Sequence, residues 1–162
     1  MTNGKKIKVI IITIIFAIIL IDQITKVSII NNNNYKIGTI SLNYEKNEEK
    51  DASMISIFTD IIVFIVIIKF LKEQYKNMNN KIRTSLAFIL GGGISNLIDK
   101  IWNKEVISFI KIGRLPTLNV AYIMIILGWI AFLIFMVDTT IKAKEEIAQI
   151  NQQKATIGRN KK

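Results

Sequence analysis

The sequence predicts an all-α membrane protein with four transmembrane helices and a small extracytoplasmic β element. Three observations predict this class. The 162-residue chain has 51% hydrophobic residues and a mean hydropathy of +0.37, well above that of a typical soluble domain. The apolar residues are concentrated in four blocks, each long enough to cross a hydrocarbon core of roughly 30 Å at about 1.5 Å per residue. Two short polar connections between the blocks show the alternation that is typical of strands.

The four apolar blocks are the predicted membrane spans, and they cover residues 9–25, 55–71, 82–101 and 118–137. The first block follows three lysines, as the core of a secretory signal would. It is longer than a usual signal core and three more spans follow it, so we expect it to stay as an anchor. Residues 1–162 are therefore predicted to form a single membrane domain that ends in a basic tail at residues 138–162.

Lys and Arg are distributed unevenly between the two sides of these spans. The N-terminus, the connection between spans two and three and the tail hold 14 of the 22, and the other two connections hold eight. Because basic residues accumulate on the cytoplasmic side, both termini are predicted to lie in the cytoplasm. The anionic cytoplasmic leaflet then explains the net charge of +10. No motif of a nucleic-acid-binding fold is present, so membrane lipid is an expected partner and nucleic acid is not.

The two outer connections are predicted to contain short strands. Residues 35–44 alternate between two faces, and residues 105–112 alternate in the same way. A period of two residues is typical of a strand. Residues 31–34 and 45–51 are predicted to form polar loops.

The absence of two residue types limits the chemistry that the chain can perform. The sequence contains no cysteine and no histidine. Disulfides, thiol catalysis, a Ser-His-Asp triad and histidine-ligated metals are therefore excluded, and neither a cofactor nor a metal is expected. Any hydrolysis must rest on carboxylates or on a Ser/Lys pair.

Polar residues from four segments are predicted to lie at the same membrane face. They are Asp22, Asp60, Asn96, Asp99 and Asn119. Ionisable groups inside a membrane are costly and usually face the bundle interior or a wet cavity. Five such residues at one level therefore predict a single polar pocket at the outer face.

Each of these features also has a purely structural interpretation. Asp22 and Lys26 are four residues apart and can form an ion pair on one helix face. Asp60 can reach the interface, and Asn96 and Asp99 can cap or bridge loops. Small residues at helical spacing allow two helix backbones to approach closely. A row of this kind is formed by Ala87, Gly91 and Ser95.

Four motifs, in this order, resemble those of the bacterial lipoprotein signal peptidases, the signal peptidase II family. "IDQITK" is similar to the family's Asp-x-x-[ST]-Lys motif in the first span, and "LNYEKN" to an outer-loop segment that ends in Asn. "GGGISNLIDKIW" is similar to the glycine-rich block of the third span, and "LNVAYIMIILG" to the Asn-x-Ala-Asp block of the fourth. The positions that match these motifs are Asp22, Lys26, Asn47, Gly91, Gly92, Asn96, Asp99, Asn119, Ala121 and Gly128.

The resemblance covers nearly the whole chain and implies both a location and a partner. Members of the family are four-span aspartic proteases of the bacterial cytoplasmic membrane that cut the signal peptide from lipid-modified prolipoproteins. The resemblance thus implies a multi-pass monomer that binds a lipid-modified prolipoprotein or a lipopeptide. It also implies substrate-binding roles for seven residues, one of which, a lysine, stands where the family has arginine. These residues are Asp22, Lys26, Asn47, Asn96, Asp99, Lys100 and Asn119.

Both catalytic aspartates of the family are replaced in this sequence. Ser108 stands at the first position, in "VISF", and Tyr122 stands at the second, in "NVAY". Aspartic proteolysis needs two carboxylates that share a proton, and the hydroxyls of serine and tyrosine titrate too high to replace them. We therefore expect a non-catalytic homologue that binds a prolipoprotein or lipopeptide as an accessory, a regulator or a decoy.

Other functions stay open at this point. The protein can be an active lipoprotein signal peptidase whose acids have moved, and the candidate acids are Asp60, Asp99 and Glu105. A Ser108 nucleophile would need Lys104 or Lys111 as a buried, neutral base. A small permease is disfavoured because the polar residues cluster at one face and do not line a path across the bilayer.

Overall fold

The computed structural model describes residues 3–31, 35–37, 39–42, 54–74 and 78–159 of the chain. Within these ranges lie four helices, α1 (Asn3–Asn31), α2 (Met54–Gln74), α3 (Asn80–Trp102) and α4 (Val120–Arg159). The same ranges contain three strands, β1 (Tyr35–Ile37), β2 (Ile40–Leu42) and β3 (Ile110–Ile112). Asn47 and the predicted polar loop at residues 45–51 lie outside the described residues, as does all but the first residue of the predicted loop at 31–34.

Each helix contains most or all of one predicted span, so the prediction of a mostly helical fold is confirmed. Two helices, α1 and α4, are long and apolar enough to cross a membrane, over Gly4–Asn31 and Val120–Lys154. Membrane crossing by α2 and α3 stays a prediction. The fourth helix begins at Val120, two residues later than the predicted span, because Asn119 caps its first turn, as described below.

The third helix is the centre of the bundle. It packs against α1, α2 and α4, and twelve of its residues are buried. One apolar core cluster joins α2 to α3 and consists of Ile67, Ile82, Leu86, Ile89 and Leu90. Most large apolar side chains of α1, α2 and α4 face outwards and are exposed, as expected for helices in lipid.

A side-chain cap marks the start of α3, and a row of small residues lies on one of its faces. Asn79 Oδ1 accepts a hydrogen bond from the backbone N–H of Lys81 at 3.1 Å, which caps the start of the helix. All three members of the predicted row of small residues, Ala87, Gly91 and Ser95, are buried. Gly91 of this row lies against Ile15 and Ile18 of α1, so the row allows α1 and α3 to approach closely.

The outer β element is a three-stranded antiparallel sheet in the order β1-β2-β3. Residues 35–44 were predicted to form short strands, and the structure shows a hairpin in which Ile37 pairs with Ile40. Ile40 pairs in turn with Ile112 of β3. The sheet therefore connects the chain after α1 to the chain that precedes α4.

The predicted strand at residues 105–112 is wrong for its first part, since only Ile110–Ile112 forms a strand. The reason is that residues 105–109 are held by other partners. The backbone N–H of Ile107 donates to a side chain of α3, Asp99 Oδ2, at 3.1 Å. The N–H groups of Phe109 and Ile110 both donate to the carbonyl of Leu118, at 2.9 and 2.8 Å.

Candidate functional site

A buried polar network lies where α1, α3 and the start of α4 meet. It contains Asp22, Lys26, Asn96, Asp99 and Asn119, which come from three separate segments. Four of these side chains are at most 1% exposed, and Asn96 is 6% exposed. The structure thus brings together four of the five polar residues that were predicted to converge, along with Lys26.

The ammonium group of Lys26 lies between two carboxylates. Lys26 Nζ forms one ion pair with Asp22 Oδ2, four residues earlier on the same helix, and a second with Asp99 Oδ2 at 2.6 Å. It also donates to Asn96 Oδ1 at 3.4 Å. Lys26 therefore joins α1 to α3 through its ion pair with Asp99. Because these charged groups are buried, their ion pairs must compensate for the loss of hydration.

Two further groups donate hydrogen bonds to the carboxylate of Asp22. Its Oδ1 accepts from the backbone N–H of Ala121 at 2.7 Å, and its Oδ2 accepts from Ser95 Oγ at 2.7 Å. The bond to Ala121 ties α1 directly to the first turn of α4. A buried carboxylate is costly unless it is paired and hydrogen-bonded, and Asp22 satisfies both conditions.

Asp99 is held in a similar way. Its Oδ1 accepts from Gln23 Nε2 at 2.9 Å, and its Oδ2 accepts from the N–H of Ile107 in addition to the Lys26 ion pair. Gln23 also donates to Ser95 Oγ at 3.0 Å. Gln23 and Ser95 were missed as site residues by the sequence reasoning. Their positions, next to Asp22 and one residue before Asn96, were the available signal.

Asn119 links the network to the two positions that are aspartates in the resembled family. Its Nδ2 donates to Asn96 Oδ1 and to the carbonyl of Ile107, both at 2.9 Å, and its Oδ1 accepts from the N–H of Tyr122 at 2.7 Å. The N–H and the carbonyl of the residue before Ser108 are thus both bound to the network. The backbones of positions 108 and 122 are therefore positioned by buried residues of this network.

The two positions differ in their surroundings. Ser108 is partly buried and lies between two buried neighbours, Ile107 and Phe109. Tyr122 is also partly buried, and it lines a cavity between α2, α3 and α4. Ser108 is not among the described residues that line this cavity. That these two hydroxyl-bearing residues stand in for catalytic carboxylates stays an expectation from the family resemblance.

This cavity has a volume of about 230 Å³ and is mostly apolar. Its apolar wall includes Val63, Phe64, Ile67, Ile125 and Trp129. Its polar rim consists of Asp60, Asn96, Lys100 and Tyr122. Apolar walls with a few placed polar groups are typical of a ligand site, and the volume is below the roughly 300–1,000 Å³ of most such sites.

Two of the polar residues that line the cavity form an ion pair with each other. Lys100 Nζ lies 2.6 Å from Asp60 Oδ2, and the two side chains are 17% and 32% exposed. This pair joins α2 to α3 on the side of the cavity. Of the residues predicted to bind substrate, Asn96 and Lys100 line the cavity, whereas Asp22, Lys26, Asp99 and Asn119 lie behind it.

Among the described residues, no group of three or more acidic side chains is placed to hold a metal ion. The acids of the network are already bound to lysine and to N–H and O–H donors.

Apolar helices joined by a buried charged network define the class of this protein: a helical membrane protein with a pocket beside that network. A family model described as "Signal peptidase (SPase) II" matches residues 14–138. The chain therefore belongs to the signal peptidase II family of bacterial membrane proteins.

Two lipoprotein signal peptidases illustrate the relationship. The one from Clostridium novyi (strain NT) is 32% identical over 141 residues, which cover 76% of this chain and 93% of the relative. The one from Listeria monocytogenes serotype 4a (strain HCC23) is 30% identical over 138 residues, which cover 76% of this chain and 90% of the relative. The chain thus spans nearly the full length of both relatives.

Two solved structures share the fold. Both are described as a bacterial membrane enzyme structure obtained by the in meso method, and their TM-scores are 0.65 and 0.64. The first alignment covers 80% of this chain and 88% of the solved chain, and the second covers 78% and 91%. Sequence identity is 20% in both cases, so this likeness concerns the fold alone.

Proposed function

We propose that the protein is a non-catalytic member of the signal peptidase II family that binds a prolipoprotein or lipopeptide at the outer membrane face without cutting it. This proposal is carried by Ser108 and Tyr122, which stand where the resembled family has its two catalytic aspartates. Two carboxylates sharing a proton are the chemical basis of aspartic proteolysis. Neither hydroxyl can act as the base unaided at neutral pH.

The acids that remain nearby are already engaged. Asp99 accepts from Gln23, from the N–H of Ile107 and from Lys26, and it is fully buried behind the cavity. Asp60 is the one carboxylate among the described residues that line the cavity, and it pairs with Lys100. Aspartic proteolysis needs two carboxylates that share one proton, and a single carboxylate paired with a lysine cannot form such a dyad.

The cavity supports a binding role for a lipid-modified ligand. Its apolar wall suits an acyl chain or the apolar part of a signal peptide, and its polar rim suits the peptide backbone. Lys100 and Asn96 supply donors at this rim, whereas Tyr122 supplies a hydroxyl. The buried polar network next to the cavity joins α1, α3 and the start of α4, and α3 and α4 carry part of the cavity wall.

The topology is part of the proposal. All four helices would cross the membrane, with both termini in the cytoplasm and the sheet outside. The cysteine-free chain allows a direct test with Lys104→Cys and Lys154→Cys in intact cells. We expect a membrane-impermeant thiol reagent to label the first variant and not the second, and labelling of the second would contradict this topology.

The functional test combines cleavage and binding. The purified protein in detergent is incubated with a diacylglyceryl-modified prolipoprotein, next to the Clostridium novyi relative as a positive control. We expect binding without release of the signal peptide. Cleavage by the wild-type protein would overturn the non-catalytic role, and absence of binding would overturn the binding role.

A second candidate function is an active lipoprotein signal peptidase with relocated acids. The observation in its favour is that Asp60 lines the same cavity as Tyr122. If the wild-type protein cuts the prolipoprotein, Asp60→Asn should abolish the cleavage. A cleavage that survives Asp60→Asn and Asp99→Asn would exclude a rebuilt dyad containing either acid.

A further inference from the structure

The fourth helix continues well beyond the part of the chain that matches the family. The match ends at residue 138, whereas α4 runs without interruption to Arg159. Neither glycine nor proline occurs between Trp129 and Ile157, and these are residues at which helices usually kink. At about 1.5 Å per residue, residues 139–159 lengthen the helix by roughly 32 Å. The extension therefore continues the axis of the apolar segment.

The extension exposes apolar side chains. Every side chain from Thr140 to Lys154 is exposed, including Ile147 at 59% and Ile150 at 43%. Most of the stability of a helix in a protein comes from packing of an apolar face, and the extension buries no side chain from Thr140 to Lys154 against the described residues. Covering the isoleucines with another apolar surface would stabilise it.

The apolar residues follow the spacing of a coiled coil. From residue 133, alternating steps of three and four residues define the α4 seam, which consists of Leu133, Met136, Thr140, Ala143, Ile147, Ile150, Lys154 and Ile157. Six of these eight positions are apolar. Leu133 and Met136 lie within the apolar span, and beyond it four of the six seam positions are apolar, a spacing that indicates a short coiled coil.

The charge of the extension disfavours two other occupants. From Asp138 to Arg159 there are three acidic and four basic side chains, and the basic excess of the tail lies at its end, in Arg159, Lys161 and Lys162. Helices that bind anionic lipid or nucleic acid carry an excess of Lys and Arg. The face away from the seam is mostly polar, with Lys142, Glu145, Gln149 and Gln152, and Ile141 is a large apolar side chain on it. The seam is thus narrow, as in a coiled coil, and too narrow for a helix that lies on a membrane.

We propose that the α4 seam pairs with the same seam of a second copy of this chain, in a parallel two-stranded coiled coil. Two copies in one membrane share an orientation, so their seams run parallel, and confinement to the bilayer lowers the entropic cost of association. In this register Glu146 faces Asn151 of the other copy, and Lys144 faces Thr139, so no like charges meet at the flanks. Lys154 within the seam favours a single register.

The pairing replaces the monomer expected from the family resemblance, and it does not depend on whether the pocket binds or cuts its ligand. The part of the chain that the family model matches ends at residue 138 and does not contain the extension. The assembly would bring the C-terminal ends of two bundles together while leaving the outer pocket of each bundle open.

The cysteine-free chain permits a direct test of this proposal. Ile147→Cys and Ile150→Cys place a thiol on the seam, and Glu145→Cys and Gln149→Cys place a matched thiol on the opposite face. Full-length variants in membranes are treated with a thiol oxidant. We expect the seam variants to give at least about tenfold more product at twice the chain mass, because a disulfide needs Cα atoms within about 7 Å. Equal yields at all four positions, or a product of any other mass, would overturn the proposal.

A second comparison separates specific pairing from random collision. Ile147→Cys is combined with Ile150→Asp, which places a charge in the seam, or with Gln149→Asp, which places the same charge outside it. We expect the cross-linked product to fall about tenfold in the first combination and to persist in the second. Equal yields from the two combinations would show that the seam is not the contact.

Discussion

Lys26 of α1 and Asp99 of α3 form an ion pair at 2.6 Å in which neither side chain is more than 1% exposed. The same ammonium group also pairs with Asp22. One lysine thus neutralises part of two buried carboxylates and joins two helices. Asp22 also accepts a hydrogen bond from the backbone N–H of Ala121, and Asp99 accepts one from the backbone N–H of Ile107. The network therefore positions these two backbone segments beside the pocket.

The first prediction concerns the stability that this lysine provides. Lys26→Met should lower the free energy of unfolding by about 3–5 kcal/mol, because it leaves two buried carboxylates without their cation. Lys142→Met is a matched control, since Lys142 also pairs with an aspartate four residues earlier but is 69% exposed. The control should change stability by less than about 0.5 kcal/mol. Thermal unfolding in detergent measures both, and similar losses in the two variants would contradict this role of Lys26.

Much of this network could be predicted from the sequence. Asp22, Asn96 and Asp99 lie in apolar stretches where polar groups are costly, so their convergence followed from physical cost alone. The four helices could be predicted for a related reason, since each apolar block exceeds the length of an ordinary strand.

The sequence could not tell which polar residues line the cavity and which lie behind it. That depends on the rotation of each helix about its axis, and apolar side chains on nearly all sides of α1 and α2 leave this rotation undefined. The pairing of Asp60 with Lys100 depends on the placement of α2 against α3 for the same reason. The late start of β3, at Ile110 and not at residue 105, was equally hidden, because it depends on the distant Asp99.

The second prediction concerns the scaffold around the replaced aspartates. Ser108→Asp/Tyr122→Asp should restore cleavage of a diacylglyceryl-modified prolipoprotein, because the network already positions both backbones. Each single variant supplies one carboxylate and should stay near background. We expect the double variant to exceed either one at least about a hundredfold, since dyad residues act as a unit. Release of the signal peptide is the measurement.

The control for this prediction is the binding of the same prolipoprotein to all four proteins. Binding that is retained without any cleavage in the double variant would show that the carboxylates are not presented correctly. Equal cleavage by the double variant and the wild type would show that positions 108 and 122 are not the reactive centre.

The third prediction concerns the cation at the rim of the cavity. Lys100 is the one basic residue among the described residues that line it. Lys100→Met should weaken lipopeptide binding about tenfold, which corresponds to about 1.4 kcal/mol, because a donor to the peptide backbone is lost. Stability should change by less than about 1 kcal/mol, since the ion pair with Asp60 is partly exposed. Lys104→Met, on an exposed residue after α3, is the control. Equal affinities of the two variants would exclude a binding role for Lys100.

The last prediction concerns the close approach of α3 and α4 at Gly128. A Cβ at this position would lie 2.9 Å from the carbonyl oxygen of Ser85 and 3.0 Å from the backbone nitrogen of Ile89. Backbone atoms cannot move aside cheaply, so Gly128→Ala should destabilise the protein by about 1–3 kcal/mol, despite a gain of about 1 kcal/mol in helix propensity. Gly4→Ala is the matched control, because nothing lies within 4 Å of a Cβ there, and it should be neutral or slightly stabilising. Opposite signs in thermal unfolding of the two variants support the tight contact, and stabilisation by both would refute it.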